Sequence, residues 1–154
     1  MAIKQHVTWE QFFAHCNDLS QQLKDKDITD IIGIARGGLI PAQYIAYSLD
    51  ISRVHSCGIA TYSRDDKKMS DAFKMIYQSV NVKGWENRNI LIIDDIADSG
   101  DTFNMFLSNH HFNSSARNKI YTAALHYKKG KCQFGLDHWA EEVENDTWVV
   151  YPYD

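Results

Sequence analysis

Two adjacent carboxylates follow a strongly apolar run near the middle of the chain. Asp94 and Asp95 come directly after Asn89–Ile93, a run whose composition predicts a strand buried on both faces. Neighbouring carboxylates at the end of a buried strand repel each other and lose hydration, so structure alone rarely needs them there. Carboxylates accept hydrogen bonds from the hydroxyls of a diol and bind hydrated Mg²⁺. The pair therefore predicts a diol or magnesium site, with a partly exposed helix-capping pair as the alternative.

A loop of small residues follows this pair. Ser99, Gly100 and Thr102 lie between the predicted strand and a predicted helix, where backbone N–H groups converge and bind phosphate. Taken alone, the loop also fits an ordinary helix cap with a turn glycine. The chain contains neither the dinucleotide-binding nor the P-loop glycine pattern. A diol site followed by a phosphate loop describes a site for ribose 5-phosphate.

A second glycine-bearing loop ends another predicted strand. The apolar run Asp30–Ala35 leads into Arg36-Gly37-Gly38, and Pro41 then marks the first turn of a predicted helix. A surface arginine that contacts only solvent does not need to lie between a buried strand and two glycines. Arg36 is therefore a candidate for binding an anion.

The elements that position these loops alternate along the chain. A capping box at Thr8–Gln11 begins a predicted helix over about 8–24. Strands predicted at 30–35, 53–60, 89–93 and 119–127 are nearly continuous apolar runs, which is typical of an α/β fold with a mainly parallel sheet and helices on both faces. Both loops lie at carboxyl ends of strands, where such sheets bind ligands. One domain over 1–154 is expected, and the polar stretch at about 61–88 is predicted to be a flexible lid or a disordered loop.

Composition narrows the class of protein. The 154 residues carry a formal net charge of −4, which disfavours a nucleic-acid surface, and no apolar stretch is long enough to cross a membrane. No signal peptide is apparent, so a cytoplasmic protein is expected. Three separated cysteines (Cys16, Cys57 and Cys132) are expected to be reduced. The seven histidines show no known metal-ligand spacing, so a structural metal is not expected.

The segment Ile92–Thr102 resembles the phosphoribosyl-pyrophosphate (PRPP) signature of type I phosphoribosyltransferases: apolar residues, two acids, then a small-residue loop ending in threonine. Ala35–Pro41 is similar to the pyrophosphate loop of that family. Asp146–Asp154 resembles the base-binding hood of small xanthine-guanine phosphoribosyltransferases. The resemblance runs from about residue 7 to 154. It implies the type I phosphoribosyltransferase fold with a small C-terminal hood at about 128–154.

The resemblance also implies roles for residues around PRPP. Asp94 and Asp95 would hold the ribose hydroxyls and the Mg²⁺ cofactor, and with Asp98, near N7 of the base, they would form the catalytic group. Arg36 and Gly37 would face the pyrophosphate. The 5-phosphate would be wrapped by the loop residues Asp98, Ser99, Gly100, Asp101 and Thr102.

For the base, Lys128 matches the lysine that reads the 6-oxo group of a purine. The relatives usually have proline after that lysine, whereas Lys129 follows here, so Lys129 and His126 stay open as alternatives. Trp148 would stack on the base, with burial in the core as its alternative. Backbone carbonyls near Val149 and Asp154 would accept from a 2-amino group.

Together these matches predict a purine salvage enzyme that uses PRPP and a 6-oxopurine and releases a nucleoside 5-monophosphate and pyrophosphate. Guanine, xanthine and hypoxanthine are not distinguished. A homodimer or homotetramer is expected, with no nucleic-acid or membrane partner. The alternatives are a non-catalytic regulator of the same fold that senses PRPP or a nucleotide, and a phosphoribosyltransferase for another base.

Overall fold

The computed structural model describes residues 2–62, 73–78, 84–109 and 117–154. Within these ranges the chain forms eight strands and three helices. In chain order they are β1 (Ile3–His6), α1 (Trp9–Leu23), β2 (Asp30–Ala35), α2 (Leu39–Ser48), β3 (Val54–Tyr62), β4 (Phe73–Gln78), β5 (Asn89–Ala97), α3 (Asp101–Asn109), β6 (Lys119–Tyr127), β7 (His138–Glu142) and β8 (Thr147–Val150).

Six strands form the main sheet, in the order β4-β3-β2-β5-β6-β7. Every neighbouring pair in this sheet is parallel except β3 and β4, which are antiparallel. Strands β1 and β8 form a separate parallel pair. The predicted α/β fold with a mainly parallel sheet is confirmed.

The two central strands, β2 and β5, contribute side chains to a core on each face of the sheet. Ile31, Leu91 and Ile93 pack with the buried residues of α1 and α2. Ile32 and Ile92 point to the opposite face and pack with buried residues of α3. Adjacent residues of a strand point to opposite faces, so a continuous apolar run is what a sheet covered on both sides requires. This arrangement confirms that helices cover both faces.

Helix α1 begins as the sequence predicts. The Thr8 hydroxyl accepts from the Gln11 amide at 3.1 Å, and the Gln11 side chain accepts from the Thr8 amide at 2.9 Å. Its buried side chains, among them Phe12, Cys16 and Leu19, follow helical spacing. Helix α1 therefore lies against the sheet with a defined starting point.

The segment at about 61–88, predicted to be a flexible lid or a disordered loop, contains a strand. Residues Phe73–Gln78 form β4, which pairs with β3 from Cys57↔Gln78 to Tyr62↔Phe73. An edge strand gains its hydrogen bonds from its partner, and the local sequence pattern does not reveal that partner. Residues 63–72 and 79–83 lie outside the described residues, so the predicted lid stays a prediction.

The C-terminal segment, predicted as a hood over 128–154, contributes to both sheets. Strand β7 extends the main sheet beside β6. Strand β8 pairs with β1, which brings the first and last described segments together. The part that stands apart from the main sheet is therefore the β1–β8 pair and the residues after it.

The three cysteines are free, as the sequence predicts. Cys16 and Cys57 are buried, and burial raises the pKa of each thiol to about 12. Both are neutral packing residues. None of the helices in the described ranges combines the length and apolar character needed to span a membrane.

Candidate active site

Asp94 and Asp95 lie near the carboxyl end of β5, as predicted. The Asp95 amide donates to Asp94 Oδ1 at 2.9 Å. Burial raises the pKa of Asp94 well above its usual range, and the charge of Asp95 raises it further. Burial also raises the pKa of Asp95. The hydrogen bond that its carboxyl group accepts from Tyr153 lowers this pKa, but the effect of burial is larger. The pair is therefore poorly solvated, and ionisation of both carboxyl groups is unfavourable unless a cation compensates the charge.

This pair has the chemistry of a site for a hard divalent cation. In the described part of the chain, no Lys, Arg or His side chain forms an ion pair with Asp94 or Asp95. A cation near two carboxylates relieves their repulsion, and carboxylate oxygens are preferred ligands of Mg²⁺. The residues present therefore fit the magnesium ion that the sequence predicts.

The loop Arg36–Gly38 packs directly on this end of β5. A Cβ atom added at Gly37 would overlap the Asp95 carboxylate, and one at Gly38 would overlap the Ile93 carbonyl. Only glycine allows the loop backbone to approach so closely. The peptide bond between Ala35 and Arg36 is cis. Two glycines thus bring the predicted pyrophosphate loop into contact with the predicted ribose site.

A cavity of about 540 Å³ lies between this loop and the C-terminus. It is within the range of volumes that small-molecule sites have. Asp154 Oδ2 accepts from the Tyr151 amide at 2.8 Å, and the Tyr153 hydroxyl donates to Asp95 Oδ2 at 3.3 Å. The lining residues are Arg36, Gly37, Ile40, Asp95, Tyr153 and Asp154. The resemblance groups Asp154 with the purine, but the structure places it in this first cavity, beside the predicted pyrophosphate residues.

Asp98 lies between two lysines. Its carboxylate is 3.3 Å from Lys128 Nζ and 2.7 Å from Lys131 Nζ. Burial raises the pKa of Asp98, but the hydrogen bonds and charges of Lys131 and Lys128 outweigh that effect and hold it below its usual range. Asp98 is therefore ionised at neutral pH.

A second cavity, of about 330 Å³, opens beside this group. Its walls are formed by Ala2, Asp98, Lys128, Lys131, Asn145, Asp146, Thr147 and Trp148. The structure thus brings together three of the residues predicted at the base: Asp98, Lys128 and Trp148. Lys131 is an addition that sequence reasoning missed. Its amide donates to the Lys128 carbonyl at 2.9 Å, so a turn after β6 carries both lysines to one place.

The alternatives to Lys128 point elsewhere. Lys129 pairs with Glu142 at 3.2 Å and lies over the ring of Trp139. His126 is fully buried, with Nδ1 at 2.8 Å from the Tyr151 hydroxyl. Lys128, by contrast, is 6% exposed and reaches the second cavity. Among the three candidates it is the one placed to donate to a ligand there.

Trp148 and Val149 face opposite sides of β8. Trp148 is 63% exposed, whereas Val149 is buried and packs in the core. The alternation follows from strand geometry. The alternative that placed Trp148 in the core is wrong. The Val149 side chain is buried in the core, so only the backbone of Val149 is available to contact the base.

The loop before α3 has the conformation that a phosphate loop or a helix cap requires. Gly100 has φ +86°, and a Cβ there would lie 2.6 Å from Phe134 Cβ. The Asp101 amide donates to the Ser99 hydroxyl at 3.2 Å. Asp101 is exposed in the first helical turn, and Thr102 is partly buried. The 5-phosphate role of 98–102 stays a prediction.

Comparison with known proteins agrees with this geometry. The family model described as "Phosphoribosyl transferase domain" matches residues 3–153. The xanthine-guanine phosphoribosyltransferase of Nitratidesulfovibrio vulgaris is 35% identical over 152 residues, covering 96% of this chain and 83% of that protein. The enzyme of the same name from Desulfotalea psychrophila is 31% identical over 153 residues, covering 96% and 84%.

Solved structures show the same fold. The purine phosphoribosyltransferase from Pyrococcus horikoshii superposes with a TM-score of 0.78 at 24% identity, covering 98% of this chain and 93% of that one. The xanthine-guanine-hypoxanthine phosphoribosyltransferase of Helicobacter pylori gives a TM-score of 0.79 at 18% identity, covering 97% and 93%. With the family match over nearly the whole chain, these similarities show that the protein belongs to the phosphoribosyltransferase family.

Proposed function

We propose that this protein is a purine salvage enzyme that transfers the 5-phosphoribosyl group from PRPP to a 6-oxopurine. The observation that carries the proposal is the second cavity, where a buried lysine, an ionised aspartate and an exposed tryptophan meet. The names of the curated relatives, xanthine-guanine phosphoribosyltransferases, support the same substrate class. The products are a nucleoside 5-monophosphate and pyrophosphate.

In the proposed reaction a purine nitrogen forms a bond to C1 of the ribose as the bond from C1 to pyrophosphate breaks. Positive charge develops on the ribose, as in glycoside cleavage. The carboxylates of Asp94 and Asp95 accept from the ribose hydroxyls and stabilise that charge. The same two residues would hold Mg²⁺, which would supply positive charge to the leaving pyrophosphate. The Arg36 guanidinium and the Gly37 amide add donors on the leaving-group side.

Asp98 and Lys128 act on the base. Lys128 Nζ donates to the 6-oxo oxygen, and the ionised Asp98 carboxylate accepts from the N–H on the imidazole side of the purine. Adenine presents an amino group at position 6, so a buried ammonium there would face a donor instead of an acceptor. Trp148 stacks on the ring. The ionised Asp98 carboxylate stabilises the positive charge that develops on the base, and the N–H proton is released to solvent as the C1–N bond forms, because the low pKa of Asp98 disfavours its keeping the proton.

The proposed partners are PRPP and a purine base in the cytoplasm, with the loop 98–102 binding the 5-phosphate. The proposed assembly is a homodimer or homotetramer. An apolar groove between α1 and α2 supports self-association, since Phe13, Leu39 and Tyr47 are exposed there.

The function is tested by a panel of bases assayed with PRPP and Mg²⁺, following pyrophosphate release. We expect turnover with at least one of guanine, xanthine and hypoxanthine, and little with adenine or pyrimidines. Lys128→Met should narrow the preference for 6-oxopurines over adenine, whereas Lys129→Met, the matched control, should not. Binding of PRPP without turnover on any base would contradict the enzyme assignment and favour a non-catalytic regulator of the same fold. Turnover confined to adenine or a pyrimidine would contradict the assignment of Lys128.

A further inference from the structure

Three potential metal ligands converge away from the two cavities. His15 lies on α1, His126 on β6 and Glu141 on β7. Glu141 Oε2 is 3.2 Å from His15 Nε2 and 3.4 Å from His126 Nε2. The three ligand atoms all lie within 4.8 Å of one another. No sequence motif reveals this cluster, because its members are 111 and 15 residues apart along the chain.

The hydrogen bonds of His126 leave one ring nitrogen without a donor partner. The Tyr151 hydroxyl donates its proton to the Asp95 carbonyl at 2.8 Å, so it can only accept from His126 Nδ1. His126 is fully buried, and burial lowers its pKa to about 4. The ring is therefore neutral, and its Nε2 carries a lone pair. That buried atom has no hydrogen-bond partner.

A lone pair and a carboxylate oxygen thus face each other at 3.4 Å. Two acceptors at this distance repel each other unless a proton or a cation lies between them. His15 adds a third nitrogen to the same space. A metal ion removes the repulsion because all three atoms are donors of an electron pair to it.

Two of the three distances between the ligand atoms match those expected around a tetrahedrally coordinated ion. Bonds of about 2.0–2.1 Å to Zn²⁺ place neighbouring ligand atoms roughly 3.3–3.4 Å apart in a tetrahedron. Glu141 Oε2 already has this spacing from both imidazoles. The remaining adjustment falls on His15, whose side chain is 19% exposed on α1.

Outer hydrogen bonds hold two of the ligands in place. Gln5 Nε2 donates to Glu141 Oε1 at 3.1 Å, which leaves Oε2 for the ion. Tyr151 accepts from His126 Nδ1, which fixes the tautomer that presents Nε2. Partners of this kind orient the ligands in known metal sites.

We propose that His15, His126 and Glu141 form a binding site for a borderline divalent transition-metal ion, with Zn²⁺ the best match. Two imidazoles and one carboxylate suit such an ion better than they suit Mg²⁺. The fourth position is open to water on the side of Glu141, whose side chain is 38% exposed. The site is separate from Asp94 and Asp95, which offer oxygen ligands alone.

The ion would join α1 to two strands of the main sheet. The Tyr151 hydroxyl joins His126 to the Asp95 carbonyl by two hydrogen bonds. The metal site would therefore also stabilise the position of the carboxyl end of β5. A ligand that binds the folded chain stabilises it by mass action. We therefore expect Zn²⁺ to raise the melting temperature.

The test uses the full chain, freed of metal with a chelator. Isothermal titration with ZnCl₂ should give one site per chain. Titration with Co²⁺ should give the intense visible absorption of a four-coordinate ion with nitrogen ligands, rather than the weak absorption of an oxygen-bound octahedral ion. His15→Gln and Glu141→Gln should each lower the Zn²⁺ affinity by more than about 100-fold, which exceeds the typical effect of losing an outer hydrogen bond.

Two matched controls make the result specific. Glu142→Gln removes the same charge from the next residue, and His138→Gln removes an imidazole from the same strand. Both should bind Zn²⁺ as the unchanged chain does. Absence of Zn²⁺ binding would overturn the proposal. So would binding that survives both His15→Gln and Glu141→Gln, or that falls equally in the controls, since the ion would then lie elsewhere. Circular dichroism of each variant establishes that it is folded.

Discussion

The two central strands of the sheet carry carboxylates at opposite ends, with opposite surroundings. Asp30 begins β2 and is fully buried. It accepts from Thr29 at 2.7 Å, Arg53 at 3.1 Å and Arg88 at 3.3 Å, with His55 Nε2 at 3.2 Å. Asp94 and Asp95, near the other end of β5, have no basic side chain in ion-pair contact within the described ranges.

The pKa values follow these surroundings. Burial raises the pKa of Asp30, but hydrogen bonds and positive neighbours outweigh that effect and lower it overall. The pKa of Asp94 is raised, first by burial and then by Asp95. A buried carboxylate with a complete set of partners serves the fold, whereas one without them is available to a ligand. The missing basic partners therefore mark the functional end of the sheet.

Asp98 is an intermediate case because it has basic partners but lies at the functional end. Asp98→Asn keeps the size of the side chain and removes its charge. We expect turnover to fall by about 10²–10³, the usual effect of removing one group that stabilises charge developing in the transition state. PRPP affinity and melting temperature should change little. Steady-state kinetics with calorimetry and thermal melts measure all three. A large loss of stability with full turnover would show that Asp98, like Asp30, serves the fold and not the reaction.

Asp30→Asn tests the other end. Removing one partner of a buried charge cluster costs about 3–5 kcal/mol in the free energy of unfolding, because the remaining charges lose their compensation. Urea unfolding at neutral pH measures the loss. The folded fraction should bind PRPP normally, and the exposed Asp27→Asn is the control. Lost PRPP affinity in a folded Asp30→Asn protein would contradict the claim that the Asp30 end of the sheet has a structural role only.

Trp148 extends the comparison to the base. Trp148→Ala should weaken every purine alike by on the order of 1–3 kcal/mol, the usual value of stacking on one base. Stability should be nearly unchanged, because the side chain is 63% exposed. Trp85→Ala, at a partly buried tryptophan that packs with His55 and Arg88, should leave purine binding intact. Unchanged purine affinity in Trp148→Ala would remove the tryptophan from the site.

A smaller effect is expected in the pH dependence of stability. The folded pKa of Asp94 is raised, so its ionisation destabilises the fold as pH rises above the ordinary carboxyl range. Asp94→Asn should therefore raise the melting temperature at neutral pH and give no gain at acid pH. Asp30 has the opposite sign: its lowered pKa stabilises the fold at neutral pH, and that contribution disappears as pH falls through its folded value. Melting curves from acid to neutral pH compare the two. A gain for Asp94→Asn that is equal at all pH values would exclude ionisation of Asp94 as its cause.

Local patterns predict much of the site. The strand before Asp94, the two glycine loops and the capping box of Thr8 are each encoded within about ten consecutive residues. Asp98, Lys128 and Trp148 are predictable from the sequence only through resemblance to a family. Their meeting in one cavity agrees with that resemblance.

Contacts between distant segments are not predictable in the same way. Strand β1 is short and mostly exposed, and its partner β8 lies at the other end of the chain. The partners of Asp30 come from three segments, and no local pattern connects Thr29, Arg53 and Arg88. Lys131 escapes prediction for a related reason: an exposed lysine in a turn has many uses, and only the fold places it beside Asp98.

The role of the unpaired carboxylates is tested by PRPP binding to the double variant Asp94→Asn/Asp95→Asn, measured by calorimetry in magnesium buffer. Each carboxylate is expected to accept a hydrogen bond from the ribose, and a bond to a charged group is worth about 1.5–3 kcal/mol. We predict a folded protein whose PRPP affinity is lower by about 10²–10⁴, a range that follows from two such bonds. A folded double variant that binds PRPP as tightly as the unchanged chain would contradict the assignment of this end of the sheet to PRPP.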